Sequence, residues 1–168
     1  MLPSCGPAAR AGAGVVVRRA TERDLGSAAR IFEESFTGSY RYWSTRLLGV
    51  LEVIVAEVGG RVVGAAELYV TEVGELGRVG VIAFIAVDRA YRRRGVGRAL
   101  VLFAEDLFRS RGCRYSAAST RSSNAASIGL FTSLGYSLHR RGDALFQLLE
   151  APLYAYEDDV VMVKRLQA

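Results

Sequence analysis

One stretch constrains this chain more than any other. Val79-Gly80-Val81-Ile82-Ala83-Phe84-Ile85-Ala86-Val87 is an unbroken apolar run. Nine apolar or glycine positions in a row suit a strand buried on both faces. A charged turn follows, Asp88 to Arg94, closing on Gly95-Val96-Gly97 and opening a strongly periodic segment. Val96, Leu100, Phe103 and Leu107 share one face of the helix this spacing predicts. Glycines at the strand-to-helix turn let backbone N–H groups approach a ligand closely. A helix N-terminus adds unpaired N–H groups and partial positive charge, which favours phosphate. Arg92, Arg93 and Arg94 add full charge beside it. The first expectation is a strand–loop–helix unit holding a phosphorylated cofactor.

The rest of the chain can be ordered around this unit. A single domain is expected over residues 15–168, after a small-residue flexible tail over 1–14. Val15 to Ala20 reads as a strand. Thr21, followed by Asp24, sets a capping box for a helix carrying Leu25, Ala28, Phe32 and Phe36, which Gly38 ends. A second helix is expected from Tyr40 to Leu51, with Trp43, Leu47 and Val50 on one face. Its Tyr40, Tyr42 and Trp43 suit either helix packing or one wall of an acceptor pocket. Glu52–Val58 and Arg61–Val73 form a hairpin about Gly59-Gly60. A turn over Gly74–Gly77 leads into the central run. Beyond the phosphate-side helix come a short parallel strand, Tyr115 to Thr120, and a helix from Asn124 to Leu134 capped by Ser122 or Ser123. Two last strands lie near Tyr136–Arg140 and Val160–Leu166. Gly142 to Asp159 shows no clear pattern.

Bulk properties narrow the class. No apolar run reaches the roughly 18 residues of a membrane span, residues 1–14 lack a signal-peptide apolar region, and the expected location is the cytoplasm. Two cysteines, Cys5 and Cys113, and one histidine, His139, leave no basis for a disulfide framework or a metal centre. The net charge of +5 is almost wholly arginine, since Lys164 is the one lysine. Arginine favours phosphate and carboxylate in forked geometry. Its densest cluster falls on the glycine loop rather than along a groove with aromatic platforms, which argues against a nucleic-acid binder. A P-loop would need a Gly-Lys-Ser/Thr ending that is absent from this chain. A dinucleotide fingerprint would need a glycine where Leu100 stands.

Arg92-x-x-Gly95-x-Gly97, after a hydrophobic strand and opening a helix, resembles the acetyl-CoA pyrophosphate motif of the GNAT acetyltransferase superfamily. Asn124 through Gly135-Tyr136 is similar to that family's second cofactor block. The order of predicted elements agrees from Val15 to Leu166. The resemblance implies an α/β (α+β) GNAT fold. That fold has a mixed central sheet of about seven strands, splayed between the fourth (Val79–Val87) and fifth (Tyr115–Thr120), with about four helices around it. It implies acetyl-CoA as co-substrate, no metal, and a pyrophosphate on the loop formed by Arg92, Arg93, Arg94, Gly95, Val96, Gly97 and Arg98. It implies pantetheine paired along Ile85, Ala86 and Val87, with Asn124 and Phe131 also on the cofactor side and the Val87 backbone N–H as oxyanion donor. The acceptor implied is a primary amine, foremost a protein or peptide N-terminus. A small-molecule amine and a non-catalytic acyl-CoA-binding module are the alternatives, and dimerisation through the late strands is a further expectation.

The chain departs from the family in its proton-transfer groups. Phe131 occupies the usual acid position, and Val81 and Ser119 occupy two usual base positions. Glu67, Glu72 and Tyr156 are the candidate substitutes, and Tyr154 and Glu157 lie near the last of them. His139, alone on a late strand, reads as structural. A weak base favours an amine that is already partly neutral. An α-amine has a pKa of about 7.7–8.0 against about 10.4 for a lysine side chain.

Overall fold

The computed structural model describes residues 9–11 and 14–166. In chain order the elements are β1 (Ala9–Ala11), β2 (Val15–Arg19), α1 (Leu25–Ser35), α2 (Gly38–Arg46), β3 (Glu52–Val58), β4 (Arg61–Val73) and β5 (Gly77–Val87). Then come α3 (Val96–Ser110), β6 (Tyr115–Thr120), α4 (Ala125–Ser133), β7 (Ser137–Arg140), α5 (Ala144–Leu149) and β8 (Val160–Arg165). The described part of the chain forms two compact units. The first runs to Leu68 and includes Phe84–Ala104; the second comprises Tyr69–Ala83 and the chain from Glu105 onward. Strands β4 and β5 and helix α3 each contribute to both.

In the first unit β1, β2, β3 and β4 pair in sequence order, all antiparallel. The β3–β4 hairpin turns on Gly59 and Gly60, both at positive φ (57° and 80°), as a two-residue turn matching strand twist requires. Apolar residues of α1 (Ala28, Ile31, Phe32) pack with Val53, Val55, Val62, Ala65 and Ala86. Burying a side chain such as Phe32 contributes about 2–3 kcal/mol. Strand β2 is tied to the entry of α1 by Arg18, which donates to both oxygens of Asp24 (2.7 and 3.0 Å) and to Glu57 (3.2 Å). Asp24 in turn accepts from the Thr21 N–H at 2.7 Å, completing the capping box expected from sequence. On the other face of β4, Gly64 lets α3 come close: a Cβ there would lie 2.9 Å from Val96 and 3.1 Å from Leu100.

In the second unit β5 pairs parallel with β6, and β8 lies antiparallel between β6 and β7. Gly80 admits α3 in the same way, since a Cβ there would collide with the ring of Phe108. Helix α3 is further held by its buried Glu105, which accepts from Lys164 Nζ (2.8 Å) and the Tyr136 hydroxyl (3.0 Å). The β5–β6 pairing covers only Val79↔Tyr115 to Val81↔Ala117, although β5 runs six residues further. This is the splay that the family resemblance implies.

Several boundaries differ from the sequence reading. Ala9–Ala11 forms a strand against β2 inside the expected tail, so the sheet has eight strands among the described residues where about seven are expected. The rest of that tail, 1–8 and 12–13, and with it Cys5, lies outside the described residues. There are five α-helices among the described residues rather than about four, because α5 occupies the stretch that shows no clear pattern. Gly38 begins α2 instead of ending α1, which stops at Ser35. Helix α2 stops at Arg46, and Trp43 and Val50 are exposed rather than packed. The cap of α4 is Asn124 rather than either serine, because its Oδ1 reaches the Ser127 N–H at 3.1 Å.

Candidate functional site

The glycine loop lies within the first unit. Asp88 starts it by accepting the Ala90 N–H at 3.0 Å, while its own N–H donates to Val63 at 2.7 Å. This anchors the end of β5 to β4. Arg92 then folds back, its Nε donating to the Val87 carbonyl at 3.0 Å and its Nη2 to Ser35 Oγ at 3.5 Å. The Arg92 guanidinium is therefore engaged in holding the loop. Arg94 lies over the Tyr91 ring at 5.3 Å. Arg93 sits at φ +63° and Gly95 at φ +79°. Nothing lies within 4 Å of a Cβ built on Gly95, so its backbone conformation, not space, explains glycine there. The first amide of α3 with a backbone partner is Ala99, on the Gly95 carbonyl at 3.0 Å. Among the described residues the amides from Arg93 to Arg98 have no backbone acceptor. A run of unpaired amides at a helix N-terminus, flanked by exposed Arg93 and Arg98, is suited to an anionic group.

Ile85, Ala86 and Val87 close β5 within the same unit. Ala86 is buried against α1, and Ile85 and Val87 are half-buried. Phe84 beside them meets Phe36 at 5.9 Å and Tyr40 at 6.4 Å between ring centroids, both edge-on. Of the three aromatics noted on α2, Tyr40 joins this cluster, whereas Tyr42 and Trp43 are exposed.

Glu67 on β4 is the chemically unusual residue of the first unit. It pairs with Val53 in register and shares a strand face with Ala65, so its carboxyl enters an apolar layer. It has no exposed surface, and neither carboxylate oxygen has a partner among the described residues. Burial alone pushes its pKa up from 4.5 to about 8. At neutral pH it carries a proton.

The remaining candidates lie in the second unit. Glu72 is exposed and pairs with Arg78 at 3.1 Å. Tyr156 is exposed, and its backbone carbonyl accepts from Arg141 at 3.0 Å. Phe131 is buried edge-on against Tyr136, at 5.0 Å. Asn124 uses Oδ1 as the α4 cap, and its Nδ2 donates to Thr120 at 3.2 Å. Val81 is buried in the core around Phe146 and Leu149. His139 Nε2 lies 2.8 Å from Ser137 Oγ.

Sequence reasoning missed the contact of Ser119 with Asp158, a hydrogen bond of 2.6 Å from hydroxyl to carboxylate. It also missed Arg141, whose Nη2 donates to the carbonyls of Asp158 (2.6 Å), Tyr156 (3.0 Å) and Ala155 (3.4 Å), while Nη1 reaches Glu150 at 3.2 Å. One guanidinium thus organises the segment from Glu150 to Asp158. Nothing local in sequence marks either contact; an arginine in a turn is unremarkable until the carbonyls that face it are known.

Comparison with known proteins agrees with this geometry. The Acetyltransferase (GNAT) family profile matches residues 21–136. Among curated relatives, the ribosomal protein bS18-alanine N-acetyltransferase of Escherichia coli K12 is 45% identical over 53 residues, covering 32% of this chain and 36% of that protein. The matches to two plant acetyltransferases span only 18% and 14% of those proteins. Among solved structures, the S18-alanine N-acetyltransferase of Escherichia coli superposes with a TM-score of 0.65 at 22% identity, covering 92% of this chain and 95% of that one. The Salmonella typhimurium acetyltransferase yncA, solved with its cofactor acetyl-CoA, gives 0.62 at 22% identity, covering 92% and 95%.

Proposed function

The chain belongs to the GNAT acetyltransferase family, and from that premise we propose that it transfers the acetyl group of acetyl-CoA directly to a primary amine, an N-terminal α-amine of a protein or peptide. The observation that carries the reading is the run of unpaired amides from Arg93 to Arg98 at the start of α3. Acetyl-CoA supplies a thioester carbonyl and a thiolate leaving group. The loop amides, Arg93 and Arg98 hold its pyrophosphate; Arg92 keeps the loop against the end of β5; the β5 backbone at Ile85 to Val87 aligns the pantetheine arm.

Two features favour the α-amine. No exposed carboxylate stands at the base positions common in relatives, where this chain has buried Val81 and half-buried Ser119. An amine of pKa about 7.7–8.0 is roughly one-tenth neutral at pH 7, whereas a lysine side chain is neutral in fewer than about one molecule in a thousand. The second feature is the bS18-alanine enzyme among the relatives. Glu67 is held protonated at neutral pH by burial, with a pKa of about 8, but it has no exposed surface through which to reach the leaving sulfur. Glu72 and Tyr156 show nothing in their surroundings to favour a chemical role.

The test is CoA release from acetyl-CoA with the full chain and a panel of acceptors: peptides with free N-termini, N-blocked peptides with lysine, polyamines and an amino sugar. Faster turnover on free N-termini at pH 7 supports the reading, and faster turnover on lysine overturns the acceptor class. Phe131, buried where relatives often carry a tyrosine acid, favours one second reading, an acyl-CoA-binding module without turnover. Calorimetric binding of acetyl-CoA with no release on any acceptor would establish it.

A further inference from the structure

We propose that the outward face of α2, built on Tyr42, Trp43 and Arg46, is a docking surface for an acidic stretch of the acceptor polypeptide, a few residues beyond its N-terminus. The inference rests on the acetyl-transfer reading above and deepens it by naming the kind of polypeptide that carries the amine. The surface belongs to the same compact unit as the glycine loop and the end of β5.

The first observation is how α2 is seated. Tyr40, Ser44 and Leu48 recur every fourth residue and turn inward. Tyr40 meets Phe84, Ser44 has no exposed surface, and Leu48 packs on the cluster around Phe32 and Val53. The Ser44 hydroxyl is satisfied by the Arg41 carbonyl at 3.2 Å. The larger rings are left outside. Tyr42 is 52% exposed, and Trp43, the chain's one tryptophan, is 50% exposed. Their rings meet edge-on at 5.1 Å, and the Arg46 guanidinium covers the Tyr42 ring at 5.6 Å. A tryptophan left half in water forgoes much of the stabilisation that burial supplies. Tryptophan, tyrosine and arginine are the residue types that carry most of the binding energy at protein interfaces.

The second observation is charge. From Ser35 to Leu51 the chain has two arginines, Arg41 and Arg46, both exposed, and no acidic residue. The nearest acids along the chain are Glu34 on α1 and Glu52 on β3. An acidic partner complements this face. A second copy of it would set arginine against arginine about a two-fold axis. Single-stranded nucleic acid is also anionic, but it needs open ring faces on which successive bases stack. Here the two rings stand at 84° to each other, and Arg46 already covers Tyr42. The face therefore fits carboxylates along a peptide better than phosphates between bases.

The third observation is reach. Phe84 meets Phe36 and Tyr40, at 5.9 and 6.4 Å between ring centroids, and directly precedes Ile85 to Val87. Tyr40 and Trp43 are close to one helical turn apart, about 4.5 Å along the axis. With the acceptor nitrogen at the end of β5, an extended peptide at ~3.3 Å per residue passes over α2 from about its fourth residue on.

The experiment measures kcat/KM by CoA release for the full chain, with saturating acetyl-CoA at pH 7. The acceptors are an alanyl dipeptide amide and three peptides of about ten residues. Each peptide begins with the same dipeptide and carries glutamate, serine or arginine from about the fourth residue on. The glutamate peptide should exceed the arginine peptide about tenfold, chiefly through KM. Trp43→Ala should lower the ratio of the glutamate peptide to the dipeptide about five- to tenfold. The double variant Arg41→Glu/Arg46→Glu should turn the preference toward the arginine peptide. Equal kcat/KM for the three peptides in the wild type, or a Trp43→Ala ratio within about twofold of wild type, overturns the proposal. Trp43 is the chain's one tryptophan, so its fluorescence is an independent readout. The glutamate peptide should change it saturably. A response to a single-stranded oligonucleotide and not to that peptide overturns the proposal in favour of nucleic acid. Absence of turnover by the wild type on every acceptor would instead overturn the acetyl-transfer reading, and the fluorescence titration then decides the docking surface by itself.

Discussion

The glycine loop of the first unit and the Glu150–Asp159 segment of the second are built on opposite principles. The loop from Arg92 to Arg98 offers backbone amides from consecutive residues, and its own arginine returns to hold it. The later segment offers side chains, and the side chains that hold it come from elsewhere in the chain: Ser119 and Ser122 from around the end of β6, and Arg141 from the turn before α5. A site for a diphosphate needs several donors at close spacing, which one turn of helix start provides. A carboxylate of shifted pKa such as Asp158 needs a specific three-dimensional surrounding.

Glu67 gives the comparison its largest expected effect. A carboxyl whose pKa rises on folding contributes stability that is fully present below its unfolded value and is lost as pH climbs through the folded value. For Glu67 that window runs from 4.5 to about 8. Stability should fall across it by up to about 1.4 kcal/mol per pH unit, on the order of 3 kcal/mol between pH 4.5 and 7. Urea unfolding of Glu67→Gln at several pH values should show that slope removed. An unchanged stability slope would mean that Glu67 is ionised and solvated.

Arg141→Ala comes next. It leaves the carbonyls of Asp158 and Tyr156 without their donor, at a cost of about 2 kcal/mol. Hydrogen exchange should quicken at 154–159 and stay unchanged at 92–98. Equal quickening at both sites would dissolve the contrast between a self-held loop and an externally held one.

Gly95→Ala tests the loop from the other side. No atom obstructs the methyl group, but φ +79° costs a side chain about 1–2 kcal/mol. Acetyl-CoA affinity by calorimetry should fall about tenfold, with the far segment's exchange unchanged. Full affinity would show that the left-handed conformation is not needed for binding. The smallest effect is expected for Arg98→Ala: a loss of about two- to fivefold in affinity, shrinking at high salt, because the residue is exposed. A salt-independent loss would point to a direct, desolvated contact instead.

Much of the fold is legible in the residues themselves. The hairpin Glu52–Val58 and Arg61–Val73 and the strand Tyr115–Thr120 are read from sequence with the bounds the structure has, because turn glycines and apolar runs are local signals. Helix α5 carries a readable pattern too, with Phe146 and Leu149 buried three apart, but at six residues it is short for periodicity to stand out. Strand β1 shows no pattern of its own and exists by pairing with β2. The cap of α4 went to Asn124 rather than a serine because the competing side chains are chemically equivalent in sequence. Glu67 carried a signal: one charge amid Val62-Val63-Gly64-Ala65-Ala66 and Leu68.

The order of residues along the chain was enough to specify the donor side: a buried strand, a glycine turn and a helix start, all contiguous, whose backbone can bind an anion with little help. The surroundings of the candidate proton-transfer groups take shape only in three dimensions. Whether Glu67, Glu72, Tyr156 or Asp158 has unusual chemistry depends on desolvation and on partners tens of residues away. Folding left Glu72 beside Arg78 in solvent, buried Glu67 without a partner among the described residues, and set Ser119 against Asp158. A backbone motif is a property of neighbours along the chain, whereas a shifted pKa is a property of neighbours in space.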